Sequence, residues 1–402
     1  MFDVLIVGGG PVGACLGALL AREGERRLAV ALLEPYASPP LPADAPLEPR
    51  VVALSRASER VLSRAGAWER IHGSRVQPYE RMRIWHESVA PESDGVLVFD
   101  AADAGEPNLG YIAENRLVQS ALLEAFTAAG GHIERASLVA LEIGTAGVEV
   151  RTAGQTFSAR LVVGADGARS AVRQAAGLTA QISPYGQTAI VASVATGRPH
   201  EATAWQRFMR DGTLAFLPLA DGTSSIVWSA DDAVAATVVA LDPGAFVTEL
   251  DRASALALGK ARLVSERTSF PLSRLVAPRY VAQRIALIGD AAHVVHPLAG
   301  QGVNLGLLDA AALAQEVMAA MTRGEDPGSL RVLRTYERWR KSEVAAMGAA
   351  IDAFDRWLAH GSGPLAKLAR RGLPWVNRSQ ELRRFFIGRA LGTSGELPRM
   401  AR

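Results

Sequence analysis

Phe2-Asp3-Val4-Leu5-Ile6-Val7-Gly8-Gly9-Gly10-Pro11-Val12-Gly13 opens the chain, and the order of these residues decides the fold class. An apolar run of strand length passes directly into Gly8-x-Gly10-x-x-Gly13, and residues 11–22 then carry helical spacing. Glycine at these three places allows a tight turn, close approach of backbone to a pyrophosphate, and close helix–strand packing. A second apolar run, residues 28–33, ends at Glu34, where a carboxylate can hydrogen-bond a ribose hydroxyl. Strand, loop, helix, strand and acid in this register make a βαβ unit that opens a doubly wound α/β sheet. The loop alone suits FAD and NAD equally.

A segment far down the chain separates the two. Residues 285–288 are apolar and lead into Gly289-Asp290-Ala291-Ala292-His293, and the run continues through Pro297 and Gly300-Gln301-Gly302-Val303-Asn304. This layout sets one carboxylate at the carboxyl end of a strand, where it can hold a polyol hydroxyl. Gly300 and Gly302 let backbone N–H groups approach a flat ring. The two segments together point to FAD. A third apolar strand, residues 161–163, ends in Gly164-Ala165-Asp166-Gly167 with Arg169 and Ser170 after it. Taken alone, that stretch reads as a turn and a capped helix, and its weight comes from the other two motifs.

Between residues 189 and 229 the pattern changes. Short strands are separated by Asp211-Gly212 and Asp221-Gly222, both hairpin signals, so an antiparallel sheet is expected, inserted into the nucleotide-binding fold. Its aromatics, Trp205, Phe208, Phe216 and Trp228, read first as core and otherwise as an apolar wall for substrate. The expected division is an FAD-binding domain from residues 1–75, 105–180 and 270–330, and a substrate domain from 76–104 and 181–269. A helical C-terminal region, 331–402, completes the chain.

Composition narrows the chemistry. With 402 residues, 49% of them hydrophobic, the chain can fill more than one core. A net charge of +2 does not call for nucleic acid, although residues 365–402 hold nine basic side chains against two acidic ones. A basic amphipathic segment around Leu382, Phe385 and Phe386 suits an anionic membrane surface or a partner, and suits packing on the protein body equally. The single cysteine, Cys15, excludes an internal disulfide or a thiolate metal cluster and fits a reducing compartment, the cytoplasm by default. No third ligand accompanies His293 and His296, so no metal site is expected. The absence of a Gly-x-Ser-x-Gly elbow speaks against a serine hydrolase.

These motifs carry a family resemblance. The two glycine segments with Gly289-Asp290 resemble single-component flavoprotein aromatic hydroxylases of the para-hydroxybenzoate hydroxylase type. More narrowly, Arg50-Val51-Val52-Ala53-Leu54-Ser55, Phe216-Leu217-Pro218-Leu219 and residues 296–306 with Asp309 resemble ubiquinone-biosynthesis hydroxylases acting on polyprenyl phenols. The resemblance implies that Gly8, Gly10, Gly13 and Glu34 hold the ADP half of FAD and that Asp290, after Gly289, holds the ribityl chain. Pro297, Gly300, Gln301, Gly302, Val303 and Asn304 would lie against the flavin ring. Arg50 would contact the cofactor, and Asp166 with Arg169 would serve FAD and nicotinamide binding. Hydroxylation of a polyprenyl phenol with NAD(P)H and O₂ is the implied reaction. It needs no protein nucleophile, and no catalytic side chain is marked. The implied location is the cytoplasm, peripheral to the inner membrane, with the basic C-terminus touching membrane or a biosynthetic complex. The rivals are a catabolic phenol hydroxylase or another flavin oxidoreductase on the same scaffold, and an FAD-binding assembly subunit without turnover.

Overall fold

The computed structural model describes residues 1–22, 28–36, 41–42, 45–73, 75–296, 301–354, 388, 391–392 and 395–402. Its centre is a parallel sheet in the order His132–Glu134, Val30–Leu33, Phe2–Val7, Thr156–Gly164, Ile285–Leu287. Val281–Ala282 closes one edge antiparallel, and the pair Ala140–Ile143 and Val148–Arg151 hangs from Thr156–Gly164. Strands buried on both faces read as continuous apolar runs, as Val4, Leu5, Ile6 and Leu161, Val162, Val163 do here, all 0% exposed. One face is covered by helices Pro11–Arg22, Asn115–Ala128 and Gln301–Thr322, packed on one another. A Cβ on Gly17 would stand 3.1 Å from the Phe126 ring, which is how closely the first two helices approach.

Helix Gln301–Thr322 contains a stretch, Gly302–Thr322, long and apolar enough to cross a membrane, but 67% of its apolar window is buried inside the protein. It serves as a core helix. It starts at Gln301, with Gln301, Gly302 and Asn304 interrupting the apolar pattern in its first turn. The following helix, Leu330–Phe354, packs on it.

The second sheet lies apart from the first. Its order is His293–Val294, Thr268–Val276, Gln181–Thr196, Ser224–Asp231, Gly212–Pro218, Thr203–Met209, Arg81–His86, Leu97–Asp100. Both expected hairpins form. Met209 pairs with Gly212 around a two-residue turn at Arg210-Asp211, and Gly212 and Gly222 take φ of +149° and +83°. One pairing departs from the antiparallel expectation, because Thr203–Met209 runs parallel to Arg81–His86. That neighbour comes from a distant part of the chain, so no local turn signal announces its direction. A three-stranded sheet of Val51–Ser55, Gly110–Glu114 and Gln77–Tyr79 stands between the two larger ones.

The mixed sheet has two unlike faces. Ile190, Leu214, Phe216, Ile226 and Trp228 face helices Asp232–Ala240 and Pro243–Ser254 and pack on Phe246 and Leu250. Phe216 and Trp228 are therefore core, the first of their two readings. The alternating positions, among them Val191, Gln206, Thr213, Ala215, Val227 and Ser229, line a cavity.

Candidate active site

The parallel strands deliver four candidate segments to the same edge of their sheet. Gly8 follows Val7, Glu34 follows Leu33, Asp166 lies just past Gly164, and Gly289-Asp290 follow the strand ending at Leu287. Ligands of doubly wound sheets bind at the carboxyl ends of the strands, so the topology converges residues that are far apart in sequence.

The first segment is held by contact between backbones. A Cβ on Gly13 would come 2.0 Å from the Gly8 carbonyl oxygen, and one on Gly8 would meet Ala165 O at 2.4 Å. Gly8 also takes φ +103°. Glycine is thus required twice, once for conformation and once for space. A Cβ on Gly10, by contrast, would meet nothing within 4 Å, and the same holds for Gly302. Both glycines border open space, where a bound group can approach the backbone. Glu34 accepts the Gly9 N–H through Oε2 (2.6 Å) and the Tyr36 N–H through Oε1 (3.0 Å). Each carboxylate oxygen retains acceptor capacity for a hydroxyl.

The second segment is pinned from beneath by a buried ionic cluster. Asp309, 0% exposed, accepts the Gly289 N–H (3.0 Å), His293 Nε2 (2.6 Å) and Arg340 Nε (2.7 Å). Burial alone would raise the Asp309 carboxyl, but His293 and Arg340 together hold it below the ordinary carboxylate range. Arg340 is itself 1% exposed, and Tyr336 donates to the Leu287 carbonyl at 2.8 Å. The long helix Leu330–Phe354 therefore reaches under the Gly289-Asp290 turn. Gly289 has φ +57°. Asp290 is solvent-accessible yet closely surrounded by protein. That crowding raises its carboxyl, and His293 and Arg50 pull it partly back.

Arg50 sits on a loop that is itself fastened. Glu114, buried, pairs with Arg75 (2.6 and 2.8 Å) and accepts the Glu48 N–H (2.7 Å), while Arg75 donates onward to the carbonyls of Ala45 and Pro46. The Arg50 carbonyl accepts the Asn115 N–H, and the Pro49 carbonyl accepts the Ser225 hydroxyl. Arg50, Arg169 and His296 all line the cavity. His296 Nε2 lies 2.9 Å from Gln187 Oε1, and its ring stands edge-on to Tyr185.

Two candidates do structural work with their side chains. Asp166 accepts the Ser170 hydroxyl (2.5 Å) and the Val172 N–H (3.1 Å), and so starts helix Ala171–Ala175. Asn304 donates to Ala53 O (2.8 Å) and accepts Ser55 N–H (3.0 Å) and the Ser58 hydroxyl (2.7 Å), tying the core helix to strand Val51–Ser55. Val303 packs at the margin of the main core, and Gln301 begins the core helix. Pro297 and Gly300 lie outside the described residues. Among the described residues no group of three or more His, Cys, Asp or Glu side chains is arranged to hold a metal. Sequence reasoning missed Arg340, one arginine in an arginine-rich helix, which only burial distinguishes. It also missed Gln206, Thr213 and Ser229, whose period-2 alternation with apolar neighbours was the available signal.

The cavity measures about 890 Å³. Most of its lining is aliphatic. Tyr79 contributes a phenol that burial pushes up to about 12, so it stays a neutral hydrogen-bond donor.

The FAD-binding-domain family matches residues 1–350. The ubiquinone hydroxylase UbiL of Rhodospirillum rubrum is 38% identical over 410 residues, spanning 100% of this chain and 92% of that protein. The chain belongs to this family of FAD-dependent monooxygenases. The 3-demethoxyubiquinol 3-hydroxylase of Escherichia coli is 35% identical to the monooxygenase over 393 residues, spanning 97% and 98% of the two chains. Among solved structures, p-nitrophenol 4-monooxygenase PnpA from Pseudomonas putida shares the fold, with TM-score 0.77 at 20% identity over 97% of this chain and 98% of that one. FAD is the monooxygenase's cofactor and NAD(P)H the co-substrate typical of its family. Open space at Gly10 and Gly302, an accessible Asp290 and a Glu34 with acceptor capacity fit that cofactor.

Proposed function

We propose that the enzyme hydroxylates the aromatic ring of a polyprenyl phenol in ubiquinone biosynthesis, using NAD(P)H and O₂. The cavity carries this reading. It offers a long aliphatic wall, and its cations, among the described lining residues, are Arg50 and Arg169. A small carboxylated phenol would need a buried arginine clamp on the sheet. Arg207 is turned to the far side of the sheet, donating to the carbonyls of Arg252 (3.2 Å) and Ala253, and Arg210 sits at a hairpin tip. An isoprenoid tail gains roughly 0.8 kcal/mol per methylene buried on such a wall. The names of the relatives in ubiquinone biosynthesis support the same substrate class.

When bound, FAD supplies the redox and oxygen-transfer chemistry. The chain's own residues bind and orient: the glycine loop and Glu34 for the ADP half, Asp290 for the ribityl hydroxyls, the first turn of helix Gln301–Thr322 for the ring. Arg50 and Arg169 provide charge for the phosphates of cofactor or co-substrate. The largely aliphatic lining of the cavity would keep water from the aromatic ring, which limits uncoupled consumption of the co-substrate. The site of action is the cytoplasm at the inner-membrane surface, reached through the basic C-terminal segment. Most of that segment lies outside the described residues.

The test is NAD(P)H oxidation matched against hydroxylated product, with prenylated phenols of increasing chain length and with hydroxybenzoates. Coupling should improve as the tail lengthens. Tight coupling with a hydroxybenzoate and none with any prenylated phenol would reject the substrate class in favour of a catabolic phenol hydroxylase.

A further inference from the structure

Three buried polar side chains interrupt the cavity face of the mixed sheet. Gln206, Thr213 and Ser229 are 4%, 6% and 4% exposed, and all three line the cavity. None of their side chains hydrogen-bonds another group among the described residues, and their polar atoms open into the cavity rather than being sealed in packing. They are also neighbours. Thr213 and Ser229 are directly paired across adjacent strands, which sets their Cβ atoms about 5 Å apart. Gln206 pairs with Ala215, two residues along from Thr213, and so lies on the diagonal of the same patch.

An amide and two hydroxyls that open into the cavity keep water as a partner while it is empty, and lose those hydrogen bonds once a ligand fills it unless the ligand pairs with them. Beside Val191, Ala204, Ala215, Leu217 and Val227, they have no packing advantage over apolar residues of the same shape. We propose that Gln206, Thr213 and Ser229 form the contact that reads neutral oxygen substituents, hydroxyl or alkoxy, on the substrate's aromatic ring. This deepens the proposed function and rests on its phenolic substrate. The chemistry selects the substituent. The amide offers two donors and an acceptor, and each hydroxyl offers one of either, which matches a ring hydroxyl or an ether oxygen. A carboxylate would meet donors but no charge here, since Arg50 and Arg169 come from outside this sheet. A ring lacking the oxygen would leave all three groups desolvated and unpaired, and a site built this way discriminates against the missing group far more strongly than an apolar pocket discriminates by size.

The experiment compares two prenylated phenols that differ only in a ring methoxy group, 2-geranylphenol and 2-geranyl-6-methoxyphenol, on the FAD-loaded enzyme. Product formation gives kcat/KM for each. The wild type should favour the methoxy compound by at least tenfold. Gln206→Leu, Thr213→Val and Ser229→Ala, each close in shape to the residue replaced, should bring that ratio towards one, mainly by raising KM for the methoxy compound. A merely structural role would lower both activities together and leave the ratio unmoved. A wild-type ratio near one, or a ratio preserved in all three variants, overturns the proposal. Turnover of neither phenol by the wild type overturns the phenolic reading itself, an outcome distinct from the others.

Discussion

The cofactor edge of the parallel sheet and the cavity face of the mixed sheet are built in opposite ways. At the cofactor edge, backbone meets backbone at the limit of contact, and the Gly289-Asp290 turn rests on a buried aspartate shared by His293 and Arg340. At the cavity face, side chains of small or middle size stop short of one another and leave about 890 Å³. The difference follows from what each must accept. A cofactor of fixed shape can be met by a rigid cradle, whereas a flexible apolar tail needs volume and few directional contacts. Substitutions should therefore damage the first region through the fold and alter the second through specificity.

The largest effect is expected at Arg340. Arg340→Met keeps the volume but leaves Asp309 buried with one ionic partner fewer, a change that typically costs about 3–5 kcal/mol. Thermal unfolding should fall accordingly, and FAD should be lost on gel filtration, although Arg340 reaches the expected cofactor contacts only through Asp309. The pH dependence has a definite sign. The Asp309 carboxyl lies below its ordinary value in the folded state, so its contribution is present at neutral pH and is lost as pH falls through that lowered value. Removing Arg340 should move the acid midpoint of unfolding upward. An unchanged melting temperature and unchanged acid midpoint would show that the cofactor edge is not held from beneath.

Asp290 sharpens the same contrast at smaller amplitude. Its carboxyl lies above its ordinary value in the folded state, so folding disfavours ionisation, and the stability this gives at low pH is lost as pH rises through that raised value. Asp290→Asn should accordingly make the FAD-free protein more stable at neutral pH, with the advantage vanishing below the ordinary carboxylate range. FAD affinity should move the opposite way, by roughly 1.5–3 kcal/mol for a charge-assisted hydrogen bond removed. Melting of the FAD-free protein and a fluorescence titration with FAD check the two halves separately. Equal affinity in both proteins would remove Asp290 from the cofactor site.

The same two regions differ in how far the sequence reveals them. The acid after the second strand is legible because its spacing from Gly8 and Gly13 is fixed by the βαβ unit, and those two glycines because backbone geometry leaves no alternative residue. The hairpins at Asp211-Gly212 and Asp221-Gly222 are legible for the same reason. Asp166 and Asn304 show the limit of motif reading: both sit where expected, but their side chains cap a helix and brace a strand. Arg340 was not legible, because its meaning depends on burial against Asp309, thirty-one residues away in sequence. The parallel partner Arg81–His86 was hidden likewise, since a long crossover has no turn signature. What the sequence records well is conformation required at one place, and what it records poorly is contact between distant places.

The smallest effect on stability, and the one that tests the cavity face most directly, is expected at Ala215. Its side chain lines the cavity, while its neighbours Leu214 and Phe216 point to the opposite face and pack into the helix-side core. Ala215→Leu adds three carbon atoms into open volume rather than into packed protein, so stability should change by less than about 1 kcal/mol. The added atoms occupy room that a substrate tail would otherwise use. At roughly 0.8 kcal/mol for each methylene displaced, affinity for long-tailed phenols should fall by about 2 kcal/mol, near thirtyfold, while short-tailed phenols keep most of theirs. KM measured across a series of tail lengths reads this as a chain-length cut-off absent in the wild type. A uniform rise in KM at every length would instead mean that Ala215 faces the aromatic ring, and the tail would then have to run along another wall of the cavity.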